Sequence, residues 1–169
     1  MSKNTRFLTH AAVIAALYAV LTHLQNVLLP GSTTWAIQMR LSEALCVISF
    51  FTPAAIPGLT VGCLVFNITY AAALPLDFLV GSLATLLAAG GMWLTRRVTV
   101  KGYPLLGMAM PALFNALLVG WELTVYIGGG FFLNALYVAL GELAVLLTFG
   151  TVLYYAVKKR HLDTTVFSA

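Results

Sequence analysis

The sequence predicts an all-α membrane protein, a bundle of six transmembrane helices with both termini in the cytoplasm. Of the 169 residues, 61% are hydrophobic and 8% are charged, whereas a soluble domain is about 45–50% apolar and about 25% charged. This composition excludes a soluble domain, a disordered chain and a disulfide-rich secreted protein. Because a helical span takes about 20 residues, we expect a single integral membrane domain over residues 1–169.

Proline, glycine and polar residues divide the chain into six apolar runs. Pro30 and Gly31 end the first run, Thr52 and Pro53 end the short second one, and a Gly triplet at 128–130 precedes the sixth. Two basic residues precede the first run as in a signal peptide, but its length favours a retained span. The predicted spans are residues 7–29, 40–52, 56–74, 76–95, 104–126 and 131–157.

The basic residues support this number of spans. Lys and Arg collect in cytoplasmic loops beside span ends. If residues 40–74 are divided at Pro53 into two spans, an even number of membrane crossings separates each basic group from the next. All three groups then lie on one side of the membrane, and Arg40 is the one basic residue outside them. The formal net charge of +4 therefore indicates topology and not a nucleic-acid-binding surface. The groups are Lys3 with Arg6, then Arg96, Arg97 and Lys101, then Lys158, Lys159 and Arg160.

Polar residues inside the predicted spans converge on the outer half of the bundle. Ionisable residues within a membrane are costly and usually mark a site or a pathway. Carboxylates outnumber the single arginine, which predicts a cup, open to the outside, for a ligand that is cationic or rich in N–H donors. Four aromatic residues lie at a depth similar to that of these polar groups and could stack on a flat ligand: Trp35, Trp121, Tyr126 and Tyr137. The polar residues are Arg40, Glu43, Asp77, Asn115, Glu122, Asn134 and Glu142.

Several of these residues also have a purely structural explanation. Arg40 and Glu43 can form an interfacial ion pair, Asp77 can cap a helix N-terminus, and the aromatic residues can belong to the interfacial belt. For Glu122 and Glu142 we favour a binding role, because the cost of a buried charge rises with depth.

Small residues recur at four-residue spacing in the first and third spans. Such stripes let helices approach closely in lipid. Gly58 and Gly62 form a GxxxG pattern, which favours packing within the bundle. The alanines of the first span suit either packing or docking of another membrane protein. They form two rows, Ala11, Ala15 and Ala19 beside Ala12 and Ala16.

Motifs of enzymes and ATPases are absent from the sequence. It has no GxxxxGK[ST] phosphate loop, so the chain cannot couple ATP hydrolysis by itself. HExxH and GxSxG are also absent, and the three histidines have no ligand spacing. We therefore predict no catalytic residues, no metal site and no cofactor.

Short segments distributed over nearly the whole chain, apart from the C-terminal tail, form a specific combination. They are RLSEAL at 40–45, FTPAAIPG at 51–58, GSLATLLAA at 81–89, NAL at 115–117, GWE at 120–122, LNALYV at 133–138 and GE at 141–142. Taken together, these segments resemble the QueT family of queuosine-precursor transporters.

The resemblance implies the substrate-binding (S) component of an energy-coupling-factor importer in a prokaryotic plasma membrane. Such a component works with a transmembrane coupling subunit and two cytoplasmic ATPase subunits. The alanine rows of the first span would be the face that docks the coupling subunit, and residues 32–39 would cover the site. The implied ligand is a 7-deazaguanine base, in its 7-aminomethyl form.

Two alternatives stay open at this point. The cup would also suit an S component for another vitamin or nucleobase. A membrane enzyme acting on a lipid or prenyl group belongs to a different class, but it would need acids near the cytoplasmic side, usually paired aspartates with Mg²⁺. A titration against several ligands distinguishes these alternatives.

Overall fold

In a computed structural model, which describes residues 2–32 and 39–167, the regular elements are helices. This confirms the predicted all-helical fold for the described part of the chain. In order, the elements are α1 (Lys3–Leu28), a 3₁₀ helix (Leu41–Phe50), α2 (Ala55–Thr69), α3 (Asp77–Thr95), α4 (Leu105–Met108), α5 (Met110–Tyr126), α6 (Phe131–Val145), a π-helical turn (Leu146–Gly150), α7 (Thr151–Lys159) and α8 (Leu162–Thr165).

Four helical segments are long and apolar enough to cross a membrane. They are α1, α3, the segment Leu105–Tyr126 and the segment Phe131–Lys159, and they match the first, fourth, fifth and sixth predicted spans. The predicted second and third spans are shorter helices of 10 and 15 residues. The chain is thus a multi-pass membrane protein, with four of the six predicted spans supported by length and composition.

The second apolar segment forms a 3₁₀ helix at the centre of the bundle. Runs of this helix longer than 3–4 residues are uncommon, yet this one has 10 residues, eight of them buried. At a rise of about 2.0 Å per residue, it extends over about 20 Å, compared with about 15 Å for an α-helix of that length. The 3₁₀ helix packs against α1, α2, α3, α6 and α7, so protein rather than lipid surrounds it.

Helices α1 and α2 run parallel and approach closely through the GxxxG pattern. A Cβ atom added at Gly58 would lie 2.7 Å from the Ala11 carbonyl oxygen, and one added at Gly62 would lie 2.8 Å from that of Ala15. The prediction that these glycines serve packing within the bundle is therefore confirmed.

The six apolar segments alternate in direction, which places the chain termini at one end of the bundle. The Arg6 side chain donates a hydrogen bond to the Val166 carbonyl oxygen at 2.7 Å, and the His10 and Phe167 rings meet edge to face. The connection between α3 and α4, with its three basic residues, lies at this same end. We call it the basic end, and the opposite end the polar end.

A large apolar core occupies the half of the bundle toward the basic end. It joins the 3₁₀ helix to its neighbours through residues such as Val47, Phe50, Leu59, Met92 and Leu146. A smaller apolar cluster, which includes Val80, Val119 and Val138, connects α3, α5 and α6. Polar side chains that enter the bundle from the polar end therefore meet a closed apolar floor.

Candidate functional site

Buried polar side chains from α3, α5, α6 and the start of the 3₁₀ helix meet between the polar end and the middle of the bundle. Glu122 is fully buried, and Arg40, Glu43, Asp77, Asn115 and Glu142 are each at most 6% exposed. The sequence predicted these six residues as site members, and the structure brings them to the same region. We call this set the polar cup.

Glu43 is the most strongly hydrogen-bonded carboxylate of the polar cup. The Tyr18 hydroxyl on α1 donates a hydrogen bond to Glu43 Oε1, and Cys46 Sγ donates one to Oε2 at 3.1 Å. Tyr18 is fully buried. Because donors of the protein itself occupy both oxygens, Glu43 has less capacity left to bind a ligand than the sequence suggested.

Arg40 precedes the 3₁₀ helix and is the cation of the polar cup. Its guanidinium carbon lies 5.7 Å from the centroid of the buried Phe66 ring, a geometry that allows a cation–π interaction. Nη1 lies 4.0 Å from the position of a Cβ atom at Gly81, which places the guanidinium beside α3. The charge of Arg40 interacts with Asp77 and Glu43. It therefore partly compensates acids on two different elements.

Glu122 and Asp77 form a pair of carboxyl groups between α5 and α3. They lie close enough to interact electrostatically. Asp77 Oδ2 accepts a hydrogen bond from the Leu74 backbone N–H at 2.9 Å, a group that precedes the helix. Asp77 was predicted to cap the N-terminus of α3. The N-cap residue is instead Leu76, and Asp77 is the first residue of the helix. Neither oxygen of Glu122 has a hydrogen-bond partner among the described residues.

Other buried polar atoms in and beside the polar cup also lack hydrogen-bond partners within the described part of the chain. They are Glu142 Oε2 and Asn115 Nδ2 of the polar cup, and Ser82 Oγ and Asn67 Oδ1 outside it. Glu142 interacts electrostatically with Glu43 and Arg40. A buried polar group without a partner costs about 1–3 kcal/mol, so native proteins rarely keep several together. This cluster is therefore suited to a polar ligand that supplies the missing partners.

Asn134 and Tyr137, two further predicted site residues, lie on α6. The Asn134 amide donates hydrogen bonds to Thr124 Oγ1 and to the Gly128 carbonyl oxygen, both at 3.0 Å. It thereby closes the connection between α5 and α6, and only its amide oxygen stays open to a ligand. Tyr137 is half-buried on α6. Trp35 lies outside the described residues.

The aromatic rings proposed to stack on a ligand are only partly inside the bundle. Trp121 is 48% exposed and Tyr126 is 41% exposed, which places both on the outer surface of α5. Phe66 borders the polar cup, because its ring lies beside the Arg40 guanidinium, and it stacks on Tyr70 at 5.1 Å between centroids. Phe66 escaped prediction because a phenylalanine within an apolar span carries no sign of which way it faces.

The two alanine rows of α1 have different environments. Ala11 and Ala15 face the close contact with α2, and Ala19 is buried. Ala12 and Ala16 are exposed. Packing inside the bundle thus occupies the longer row, and the shorter one remains accessible for docking.

The site contains no recognisable metal centre. Within residues 2–32 and 39–167, no group of three or more His, Cys, Asp or Glu side chains is placed to hold a metal ion. Both cysteines, Cys46 and Cys63, are buried and form no disulfide. The described side chains of the polar cup offer a ligand hydrogen bonds and charge pairing.

A helical membrane bundle with a buried, incompletely paired polar cup has features that are typical of membrane transport proteins. Comparison with known families identifies which one: residues 8–159 match the QueT transporter family. The chain belongs to this family, which confirms the resemblance drawn from its sequence segments. No curated protein and no solved structure matches the chain.

Proposed function

We propose that this chain is the S component of an energy-coupling-factor importer and captures a 7-deazaguanine precursor of queuosine from outside a prokaryotic cell. The six apolar segments would each cross the plasma membrane, with the polar end outside and both termini in the cytoplasm. The whole chain would act as one membrane domain.

The observation that carries this proposal is the convergence of unpartnered acceptors in the polar cup. Both oxygens of Glu122 and Oε2 of Glu142 are buried and lack hydrogen-bond partners in the described structure. The edge of a guanine-like base presents adjacent N–H donors, and a carboxylate can accept two parallel hydrogen bonds. Asn115 and Ser82 add buried polar groups, and the Arg40 guanidinium lies over the Phe66 ring. A flat base with several N–H donors fits this set.

Energy for import would come from partner subunits. The sequence has no phosphate-binding loop of the GxxxxGK[ST] type, so two cytoplasmic ATPases and a transmembrane coupling subunit would supply the ATP-driven step. The exposed alanines Ala12 and Ala16 would belong to the face that docks the coupling subunit. Small side chains permit the close helix contact that such docking needs in lipid.

A direct titration of the purified chain tests the binding role. We expect 7-aminomethyl-7-deazaguanine to bind selectively without any partner subunit, and guanine, thiamine and riboflavin to bind weakly. Binding of a vitamin instead would retain the S-component class and overturn the ligand. If no compound binds, the proposal fails and an enzyme acting on lipid or prenyl groups becomes the better explanation.

The variant Glu142→Gln tests the site itself. It keeps the size of the side chain and removes one buried acceptor charge, so we expect binding to weaken about 10- to 100-fold. Asp163→Asn is the matched control, because it also neutralises one acid but lies in α8 at the basic end. Unchanged affinity in Glu142→Gln would remove Glu142 from the site.

A further inference from the structure

The four carboxyl groups of the polar cup are arranged as two pairs. Glu142 interacts with Glu43, and Glu122 interacts with Asp77. Arg40 interacts with members of both pairs. One guanidinium thus faces four carboxyl groups, so the polar cup has more potential negative charge than the protein itself neutralises.

The two pairs differ in how much the protein compensates them. In the pair of Glu43 and Glu142, Glu43 accepts hydrogen bonds from Tyr18 and Cys46, while Glu142 Oε2 has no partner among the described residues. In the pair of Asp77 and Glu122, Asp77 accepts a hydrogen bond from the Leu74 backbone N–H, and Glu122 has no partner among the described residues at either oxygen. A buried carboxylate is stable only when it is paired and hydrogen-bonded. Both oxygens of Glu122 are therefore available to a proton or to a cationic ligand.

The pairs also lie at different depths. Asp77 is the first residue of α3, and Glu122 is four residues from the end of α5 at Tyr126. Glu142 is 11 residues beyond the start of α6 at Phe131. At a rise of about 1.5 Å per residue, Glu122 lies about 6 Å from its helix end and Glu142 about 16 Å from its own. A ligand that contacts both pairs must therefore lie along the bundle axis, with one polar end at each depth.

We propose that Glu122, with Asp77 beside it, is the ammonium-binding subsite of the polar cup, and that the deeper Glu142 binds the neutral N–H edge of the base. An alkylammonium carries three N–H donors, which suit the two free oxygens of Glu122 and the neighbouring Asp77 carboxylate. This assignment rests on the proposed binding function. It makes Glu122 the residue that selects a base with a cationic arm over the same base with a neutral arm.

The experiment compares two ligands that differ only at the arm, 7-aminomethyl-7-deazaguanine and its neutral 7-hydroxymethyl analogue. We expect the wild-type chain to prefer the amine about 10- to 100-fold, as is typical of a hydrogen bond to a buried charged group. In Glu122→Gln, this preference should fall to within about threefold, because only the charge-dependent part of binding is lost. Glu142→Gln should weaken both ligands by similar factors and keep the preference.

The outcomes separate the subsite from the function on which it rests. Equal affinity of the wild-type chain for both ligands would overturn the ammonium subsite while the binding function stands. Binding of neither ligand by the folded wild-type chain would overturn the binding function. If Glu122→Gln does not fold, Asp77→Asn provides the second test, and a fully retained preference for the amine in that variant would count against the assignment.

Discussion

The Tyr18 hydroxyl donates a hydrogen bond to Glu43 Oε1, and this contact links α1 to the 3₁₀ helix inside the bundle. Both residues are at most 2% exposed. The same carboxylate accepts a hydrogen bond from Cys46. Tyr18 therefore connects the helix that carries the exposed alanines to an acid of the polar cup.

Replacing Tyr18 with Phe should destabilise the bundle without creating a large cavity. The change removes the donor to Glu43 Oε1, and an unpaired buried acceptor costs about 1–3 kcal/mol or more when it is charged. We expect a lower unfolding temperature for the purified chain in detergent. Tyr126→Phe is the control, because that ring is 41% exposed. Equal unfolding temperatures for the two variants would show that the Tyr18 hydrogen bond contributes nothing to stability.

The contact between α1 and α2 leads to a second prediction. In Gly62→Ala, the new Cβ would lie 2.7 Å from Tyr18 Cβ and 2.8 Å from the Ala15 carbonyl oxygen. Neither atom can move without moving α1, so we expect a loss of about 1–3 kcal/mol, the usual cost of overpacking. Thermal unfolding measures it.

Gly90→Ala is the matched control for this change. Gly90 also lies within a helix, α3, but a Cβ atom there meets nothing within 4 Å. Because Ala favours the helix over Gly by up to about 1 kcal/mol, this variant should be neutral or slightly more stable. A Gly62→Ala variant as stable as Gly90→Ala would contradict the close contact.

The acids of the site were predictable from sequence because a charge within an apolar segment has few tolerable positions. Glu122 and Glu142 had to face the bundle interior, and alternation of the segments brought them to the same half as Glu43. Tyr18 was not predictable. A tyrosine in an apolar span can face lipid, a neighbouring helix or a buried carboxylate, and its own sequence position does not distinguish among them.

The 3₁₀ helix and the difference between the alanine rows depend on tertiary packing. Residues 40–52 were expected to form a short helix, but only the surrounding five helices select the narrower 3₁₀ form for Leu41–Phe50. Ala15 and Ala16 are chemically identical neighbours. The approach of Gly62 on α2 gives them different environments, and that approach is a long-range contact.

Gln25 positions the start of the 3₁₀ helix, which gives a further prediction. Its Oε1 accepts a hydrogen bond from the Leu41 backbone N–H at 2.8 Å, while its Nε2 donates to Ser32 Oγ at 2.9 Å and to the Met39 carbonyl oxygen. Gln25→Leu keeps similar size and removes all three bonds. Loss of one hydrogen bond of about 1 kcal/mol should speed exchange of the Leu41 amide about fivefold.

Hydrogen exchange resolved at single amides checks this prediction. The Glu43 amide is the internal control, because it donates to the Arg40 carbonyl oxygen at 3.0 Å and not to Gln25. Its exchange should change less than that of Leu41. Identical exchange of Leu41 in the wild-type chain and in Gln25→Leu would show that Gln25 does not hold this amide.

The exposed alanine row provides the test of partner docking. Ala16→Trp adds a large side chain on the outer face of α1, away from the polar cup and from the close contact with α2. If a coupling subunit docks on this face, the added bulk prevents close helix approach. We expect ligand affinity to stay within about twofold and ATP-driven uptake in cells that supply the coupling module to fall at least about tenfold. Ala144→Trp, at an exposed position on α6, should leave both quantities unchanged.

Normal uptake by Ala16→Trp would exclude this row from the docking face. Loss of both ligand affinity and uptake would instead show that the substitution disturbs the bundle. The docking proposal would then stand only if Ala12→Trp reduced uptake and left ligand affinity unchanged.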